Sequence, residues 1–435
     1  MGIFMAERTS SARRGDTGIP RAWRSRLGCL TGIGVALAIV GGTAWATLDS
    51  LGYWPGSSMA TSWDSRSEDK APEDSTHQTW LVGDTLTLAR YDAVTGFDAD
   101  SGKERWQFVP PRQTDICAAS KTTDGTRVLV AHTGKTGEAS GRCAVVTALD
   151  LTDGRELWNT TLATANGGTA DRSDALAAGG GLGVVLDAGT GTDTTTVRAF
   201  DLLTGSERWT AAVPKGCGPA RTAIAPKQVV AVLACGEEVK LAAFDPADGT
   251  ERWTTPLDTR NGVATGSSVT ITATDPIVLR VDEGDRGIEA FLTFGPDGRP
   301  GARVQVTGDD YGSIGPDTVV SDKRLFALTD GGPWGRLVAF DLTSGDELWQ
   351  NDDIGGAAYA IQGLHAHAGR VMAVKASDRY EDHLYGFDAA TGDEEEDRTF
   401  RDNAGSFDGL LPYKDRIIAV RSSNSAKPFT AYERW

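Results

Sequence analysis

From His77 onward, short apolar runs alternate with polar, glycine-rich breaks: TRVLVAH, GVVLDA, QVVAVLAC, RLFALTD, RVMAVK and RIIAVR, each introduced by a Gly, Asp or Lys turn. Brief runs of β-branched and aliphatic residues bounded by turn formers predict strands. No amphipathic stretch of helical length follows residue 48, so the pattern predicts an all-β body.

One phrase recurs within this texture: GFDADSGKERW (96–106), ALDLTDGRELW (148–158), AFDLLTGSERW (199–209), AFDPADGTERW (243–253) and AFDLTSGDELW (339–349), with a worn copy, GFDAATGDEEE (386–396). Its first half reads as the end of a strand, its middle as a turn and its last letters as the start of the next strand. The turn pairs are Asp98/Gly102, Asp150/Gly154, Asp201/Gly205, Asp245/Gly249, Asp341/Gly345 and Asp388/Gly392. The Asp carboxylate is suited to accept turn amides, and the Gly supplies the positive φ that a bulged hairpin demands. Trp106, Trp158, Trp209, Trp253 and Trp349 close the five full copies. An indole buries a large ring and needs one partner for its N–H, which suits a wedge between sheets.

Two degenerate units extend the series, IEAFLTFGPDGRPG (288–301) and FTAYERW (429–435). Aligning Asp98, Asp150, Asp201, Asp245, Leu292, Asp341, Asp388 and Glu433 gives a period of about 48 residues, the signature of blades packed face to face. The expectation is an eight-bladed β-propeller, with seven left open by the degenerate ends. The last strand lacks a following hairpin, so the segment near 77–98 is expected to complete its blade and remove the free edge.

Residues 1–26 carry six Arg against Glu7 and Asp16, and residues 27–48, LGCLTGIGVALAIVGGTAWATL, carry no charge. About 20 apolar residues suffice for a transmembrane helix, and the preceding arginines put the N-terminus in the cytoplasm. Ala44-Trp45-Ala46 has the form of a signal-peptide cleavage site, but the apolar run exceeds the usual signal core, which favours a retained anchor. The expected organisation is a basic cytoplasmic tail (1–26), one transmembrane helix (27–48), a flexible extracytoplasmic tether rich in Ser, Asp, Glu and Pro (49–76), and the propeller (77–435) at the outer side of the cell membrane. The whole chain has a net charge of −17, so nucleic-acid binding by the body is excluded as a class.

Four exported cysteines form an even set, Cys117, Cys143, Cys217 and Cys235. Pairing within repeat intervals closes short loops, so Cys117–Cys143 and Cys217–Cys235 are expected among three connectivities. No close CxxC spacing points to zinc. His365 and His367 share one strand face in principle but align with a turn. Asp282, Glu283 and Asp285 suggest at most a loose calcium loop, the acidic run at 393–397 reads as a solvated loop, and Asn159-Thr160-Thr161 matches a glycosylation sequon. No Walker loop, dinucleotide fingerprint, GxSxG or HExxH occurs.

The Asp–x–x–Thr–Gly–x–x–x–Trp phrase resembles the tryptophan-docking repeat of the pyrroloquinoline-quinone (PQQ)-like β-propellers, which include quinoprotein alcohol dehydrogenases and the outer-membrane assembly factor BamB. The resemblance covers most of 77–435 and implies that the five tryptophans dock neighbouring blades while the Asp and Gly residues shape turns. It implies two functions. A quinone-dependent oxidoreductase of this family carries an adjacent-cysteine disulfide and a calcium beside a catalytic Asp, and no two cysteines are adjacent here. A BamB-like scaffold lacks chemistry, although the lipid-anchor cysteine expected after the apolar stretch is missing, since Cys29 stands near its start. The expectation is a non-catalytic, membrane-anchored scaffold that needs no cofactor, no metal and no catalytic residue, and binds a protein or envelope ligand through loops such as 282–301 and 386–400. The alternative is a PQQ-dependent alcohol or sugar dehydrogenase.

Overall fold

The computed structural model describes residue 43 and residues 58–66, 76–134, 143–162, 175–187, 196–258, 262–284, 287–330, 335–352, 354, 360–376, 381–402, 404–406, 408–421 and 427–434. The basic tail and, save for residue 43, the expected span 27–48 lie outside the described residues. Among the described residues no helix is long and apolar enough to cross a membrane.

The fold is all-β and propeller-like. Strands follow one another in antiparallel groups of four: 76–108, 116–161, 176–212, 217–256 and 268–305 each form one sheet, and 307–351 forms a sheet with one extra short strand. A further sheet of eight strands joins two such groups. The first is 360–400; the second takes Gly409–Tyr413, Arg416–Val420 and Phe429–Arg434 and adds Ser58–Asp64. A brief parallel contact, Ser58 with Thr399 and Met59 with Phe400, links the two.

The alternation seen in sequence is what builds the seams. In a central strand both faces are covered by neighbouring sheets, so strands such as Gln228–Cys235 are buried almost throughout. One face of that strand packs Val229, Ala231 and Leu233 against Leu182, Val184 and Trp209 of the preceding sheet. The other packs Val230 and Val232 against Leu279 and Val281 of the next. The last group packs on the first through Phe429 and Phe97, whose rings meet edge to face at 5.5 Å, with Leu86, Leu88, Ile418 and Ala431 around them.

Two expectations need correcting. The C-terminal strand is not completed by the segment near 77–98, which forms the first sheet in its own right. Its partner is Ser58–Asp64, paired antiparallel from Met59↔Arg434 to Asp64↔Thr430. The flexible tether proposed for 49–76 therefore contains an ordered strand, and the compact unit begins at Gly56. SMATSWD is too polar to announce itself. It holds because Met59 is buried, Ser65 exchanges hydrogen bonds with Phe429, and Asp64 accepts from Lys427 and Thr430.

Candidate functional site

Antiparallel order sorts the loops to two ends of the sheets. The first-to-second and third-to-fourth connections, the latter being the Asp–Gly turns, lie at one end. The second-to-third loops and the crossovers between sheets lie at the other. Both expected disulfides are formed, Cys117–Cys143 and Cys217–Cys235. Each couples strand ends at the crossover end, so that end is braced covalently.

The repeat residues are all engaged in the fold. At Asp201 the Leu203 and Thr204 N–H groups donate to Oδ1 at 3.1 and 2.9 Å, and Gly205 N–H donates to the Asp201 carbonyl at 2.8 Å. The Thr204 amide first, then the Arg208 guanidinium and the Thr204 hydroxyl, hold the Asp201 carboxyl down to about 2. Asp245, Asp341 and Asp388 are lowered in the same way, with turn amides as the main cause. The turn glycines adopt left-handed φ from +67° at Gly102 to +87° at Gly345.

Across each hairpin the indole stands opposite a small residue: Ala148 faces Trp158, Ala199 faces Trp209, Ala243 faces Trp253 and Ala339 faces Trp349. A bulge follows at once, which turns the ring toward the next sheet. There Trp158 Nε1 donates to Leu202 O (2.9 Å), Trp209 to Pro246 O (2.9 Å), Trp253 to Pro296 O (3.0 Å) and Trp349 to Ala389 O (3.2 Å). The ring lies on the next turn glycine so closely that a Cβ on Gly249 would come within 2.5 Å of Trp209 Cε3. Trp106 lies on Gly154 likewise, with no partner for its N–H among the described residues.

Gly392 takes the place its counterparts hold in the full copies: it follows residues 389–391 with φ +76° and closes its own turn, donating its N–H to Asp388 O at 2.9 Å. Its second task comes from the preceding sheet: Trp349 lies on it, so that a Cβ there would come within 2.6 Å of Cδ2, and Asn351 Nδ2 donates to its carbonyl at 3.1 Å. The worn copy has thus lost its own indole and kept the seat for its neighbour's.

Sequence reasoning missed two members of this machinery. Trp63, on the closing strand, occupies the docking position opposite Ala431 and lies on Gly102 of the first sheet. Its signal was a lone Trp with no Asp–Gly turn before it. The second is the Arg seven residues after the Asp: Arg105, Arg208 and Arg252 pair with Asp98, Asp201 and Asp245 at 2.6, 2.6 and 2.8 Å. The contrast between ERW and ELW carried that signal.

The other candidates fall to structural roles. Glu283 accepts from the Ala264 and Ile288 amides at 2.8 and 2.7 Å and so pins a crossover, Asp282 accepts from Gly284, and Asp285 lies outside the described residues. The acidic run is not a solvated loop but part of the outer strand Glu394–Phe400, where Glu395 and Glu396 pair with Arg370 and Asp397 meets His383 at 2.7 Å. Glu396 takes the docking position opposite Gly386, and the next group, whose fourth strand comes from residues 58–64, offers no hairpin turn for an indole to meet. His365 and His367 stand on the strand Ala360–His367 rather than in a turn, with ring centroids 6.5 Å apart. Burial lowers the His365 pKa, and the neighbouring His367 adds to the effect. Partial burial raises Asp317 and Asp408, and the charge of Asp408 raises Asp317 further. Among the described residues no three His, Cys, Asp or Glu side chains converge to hold a metal. The cysteines are bonded within two separate sheets and do not form the adjacent-cysteine disulfide that the resemblance associates with a quinone site.

No curated protein matches the chain. Among solved structures it is similar to BamB from Moraxella catarrhalis, at 16% identity and a TM-score of 0.50, covering 86% of this chain and 97% of that one. It is also similar to the quinohemoprotein alcohol dehydrogenase ADHIIG from Pseudomonas putida HK5, at 12% identity and a TM-score of 0.53, covering 86% and 76%. The Dos1 propeller is a third, at 10% identity and a TM-score of 0.51, covering 86% and 95%. At such identities these likenesses establish the fold alone. The family described as outer membrane protein assembly factor BamB matches residues 90–285 and 296–397, and across that span the chain is a member of it, a PQQ-like β-propeller protein.

Proposed function

We propose that this chain is a non-catalytic, membrane-anchored scaffold, an eight-bladed propeller held outside the cytoplasmic membrane by residues 27–48, which binds a protein partner through its crossover end. The observation that carries the reading is membership of the BamB family together with the use made of the repeat, whose Asp, Gly and Trp residues are bound into turns and seams. Rigid scaffolds that commit their repeats to the fold work through the loops between them. The crossover end has the longer loops and both disulfides, so partner contact belongs there. The test is photo-crosslinking in intact cells from single positions at each end of the full chain. One discrete protein adduct from the crossover end is expected; no adduct from either end overturns the scaffold.

The likeness in fold to quinohemoprotein dehydrogenases motivates one rival, a PQQ-dependent oxidoreductase. Against it stands the pairing of the cysteines within two separate sheets, which leaves no adjacent-cysteine disulfide for that group, and no step through a quinone is derived. Dye reduction with alcohols or sugars after addition of PQQ and calcium would reverse this preference.

A further inference from the structure

Among the described residues six non-glycine residues have left-handed backbone: Arg112, Gln113, Asp322, Lys323, Ala368 and Lys414. The last four lie in tight turns between an innermost strand and its neighbour, where a two-residue hairpin demands positive φ. Arg112 (φ 63°) and Gln113 (φ 54°) do not. They sit in the crossover from the first sheet to the second, in VPPRQTD, where no hairpin requires them. Left-handed backbone is disfavoured for a residue with a side chain, so the surroundings must impose it.

Those surroundings are explicit. Gln113 N–H donates to Pro110 O at 3.0 Å, and Thr114 Oγ1 donates to Pro111 O at 3.2 Å while lying 2.9 Å from Nδ1 of the buried His132. Ile116 N–H donates to Tyr91 O at 2.6 Å, tying the crossover to the loop 90–94 of the same sheet. The Cys117–Cys143 disulfide begins one residue later. On this fixed base the side chains of Arg112 and Gln113 are exposed. Of the four large apolar side chains exposed among the described residues, two, Tyr91 (38%) and Val109 (45%), stand on these same two loops. Arg112 makes no hydrogen bond or ion pair among the described residues, whereas Arg90 nearby is paired with Asp92.

We propose that loops 90–94 and 109–115 form a docking site for an extended segment of a partner protein bearing one carboxylate beside apolar side chains. The carboxylate sits in the Arg112 guanidinium fork, and the apolar groups cover Tyr91 and Val109. Tyr and Arg on a preorganised base are the residue types that concentrate binding energy, and an Arg fork matches a carboxylate with two parallel hydrogen bonds. The surrounding charge limits the partner further. With Asp115 three residues away and a chain of net −17, a run of acids would be repelled, which selects a single acid flanked by neutral groups.

The proposal rests on the scaffold reading and adds its location and chemistry. The test selects a displayed library of random short peptides on the purified full chain, then measures labelled winners by fluorescence anisotropy. A consensus with Asp or Glu next to an aromatic or aliphatic residue is expected. Binding should weaken about tenfold or more in Arg112→Gln and in Tyr91→Ala, equally when the peptide carboxylate becomes an amide, and recover only in part in Arg112→Lys. Arg155→Gln, at the opposite end, should change nothing. A selection without an acidic consensus, or winners indifferent to Arg112→Gln in a variant with wild-type melting, overturns this site. Partner adducts that come only from other loops in the cellular crosslinking also overturn it while sparing the scaffold; absence of all adducts removes the scaffold itself.

Discussion

The seam between the third and fourth sheets obeys the docking rule, and the seam between the fifth and sixth does without it. In the first, Trp209 is buried, bonds Pro246 O and covers Gly249. In the second, the docking position opposite Leu292 holds Arg303, which presents its backbone to Gly345 and turns its guanidinium toward Asp258 at 3.7 Å. That seam is closed instead by apolar packing among Phe291, Val304, Ile314, Leu325 and Phe340, with Tyr311 edge-on to Phe340 at 4.9 Å. The indole is therefore one lock on seams that also hold ordinary apolar packing, and here that packing closes the seam without it.

Truncating both positions should separate the two seams most strongly. Trp209→Ala removes a buried ring and its hydrogen bond and should lower unfolding free energy by about 3–5 kcal/mol. Arg303→Ala removes a partly exposed side chain whose ion pair is long and should cost under about 1 kcal/mol. Urea unfolding of the two variants measures both. Equal losses would mean that the indole is not what distinguishes the seams.

A smaller effect separates backbone strain from ring contact. Gly249→Ala must adopt a left-handed φ, at about 1–2 kcal/mol, and drive a methyl group into Trp209, at about 1–3 kcal/mol more. Gly83 has a similar φ of +61° and open space around it, so Gly83→Ala should show only the first part. If the two glycines respond alike in urea, the ring does not rest on the turn as described.

How much of this was readable in the sequence follows from the same contrast. Wherever Asp, Gly and Trp recur at fixed spacing, turn chemistry, bulge and seam are dictated locally, and strands and disulfides follow. The strand Ser58–Asp64 was not readable, because its pairing depends on Phe429–Arg434, over 360 residues away, and its own pattern is polar. The left-handed backbone at Arg112 was hidden for a related reason: the crossover around it is held from Thr114 to His132 and from Ile116 to Tyr91, contacts that no local turn signal announces. Glu396 was legible as a missing indole, but only the topology explains why none is needed there. Gly392 was legible as a turn glycine, while its service as the seat of Trp349 depends on a ring 43 residues earlier in the chain.

Acid titration should affect the two seams alike. Burial holds His132 below its ordinary 6.5, so in the window between that value and the lower native one the unfolded chain binds more protons. Stability should fall as pH drops through it, and His365, lowered by burial as well, acts in the same direction. Turn carboxylates act in a separate window: Asp201, held at about 2, contributes stability above its ordinary 3.8 that is lost as pH falls toward 2. Neither seam contains these histidines, so Trp209→Ala and Arg303→Ala should shift the whole stability–pH curve without changing its shape between pH 7 and 5. A changed slope in either variant would tie a histidine to that seam.

The smallest effect concerns the residue before the indole. Arg252 pairs with Asp245 at 2.8 Å and donates to Lys227 O at 2.6 Å, both at the surface, whereas the ELW copies put the exposed Leu348 at the equivalent place and keep the same turn bonds at Asp341. The turn is thus built by amides, and the ion pair is secondary. Arg252→Leu should cost no more than about 1 kcal/mol, less at high salt. It should raise the Asp245 pKa only part of the way back, because the Ala247 amide is the larger cause of its lowering. NMR titration of the Asp245 side chain decides this: a full return to the ordinary carboxylate range would make the arginine, and not the turn, the holder of that charge.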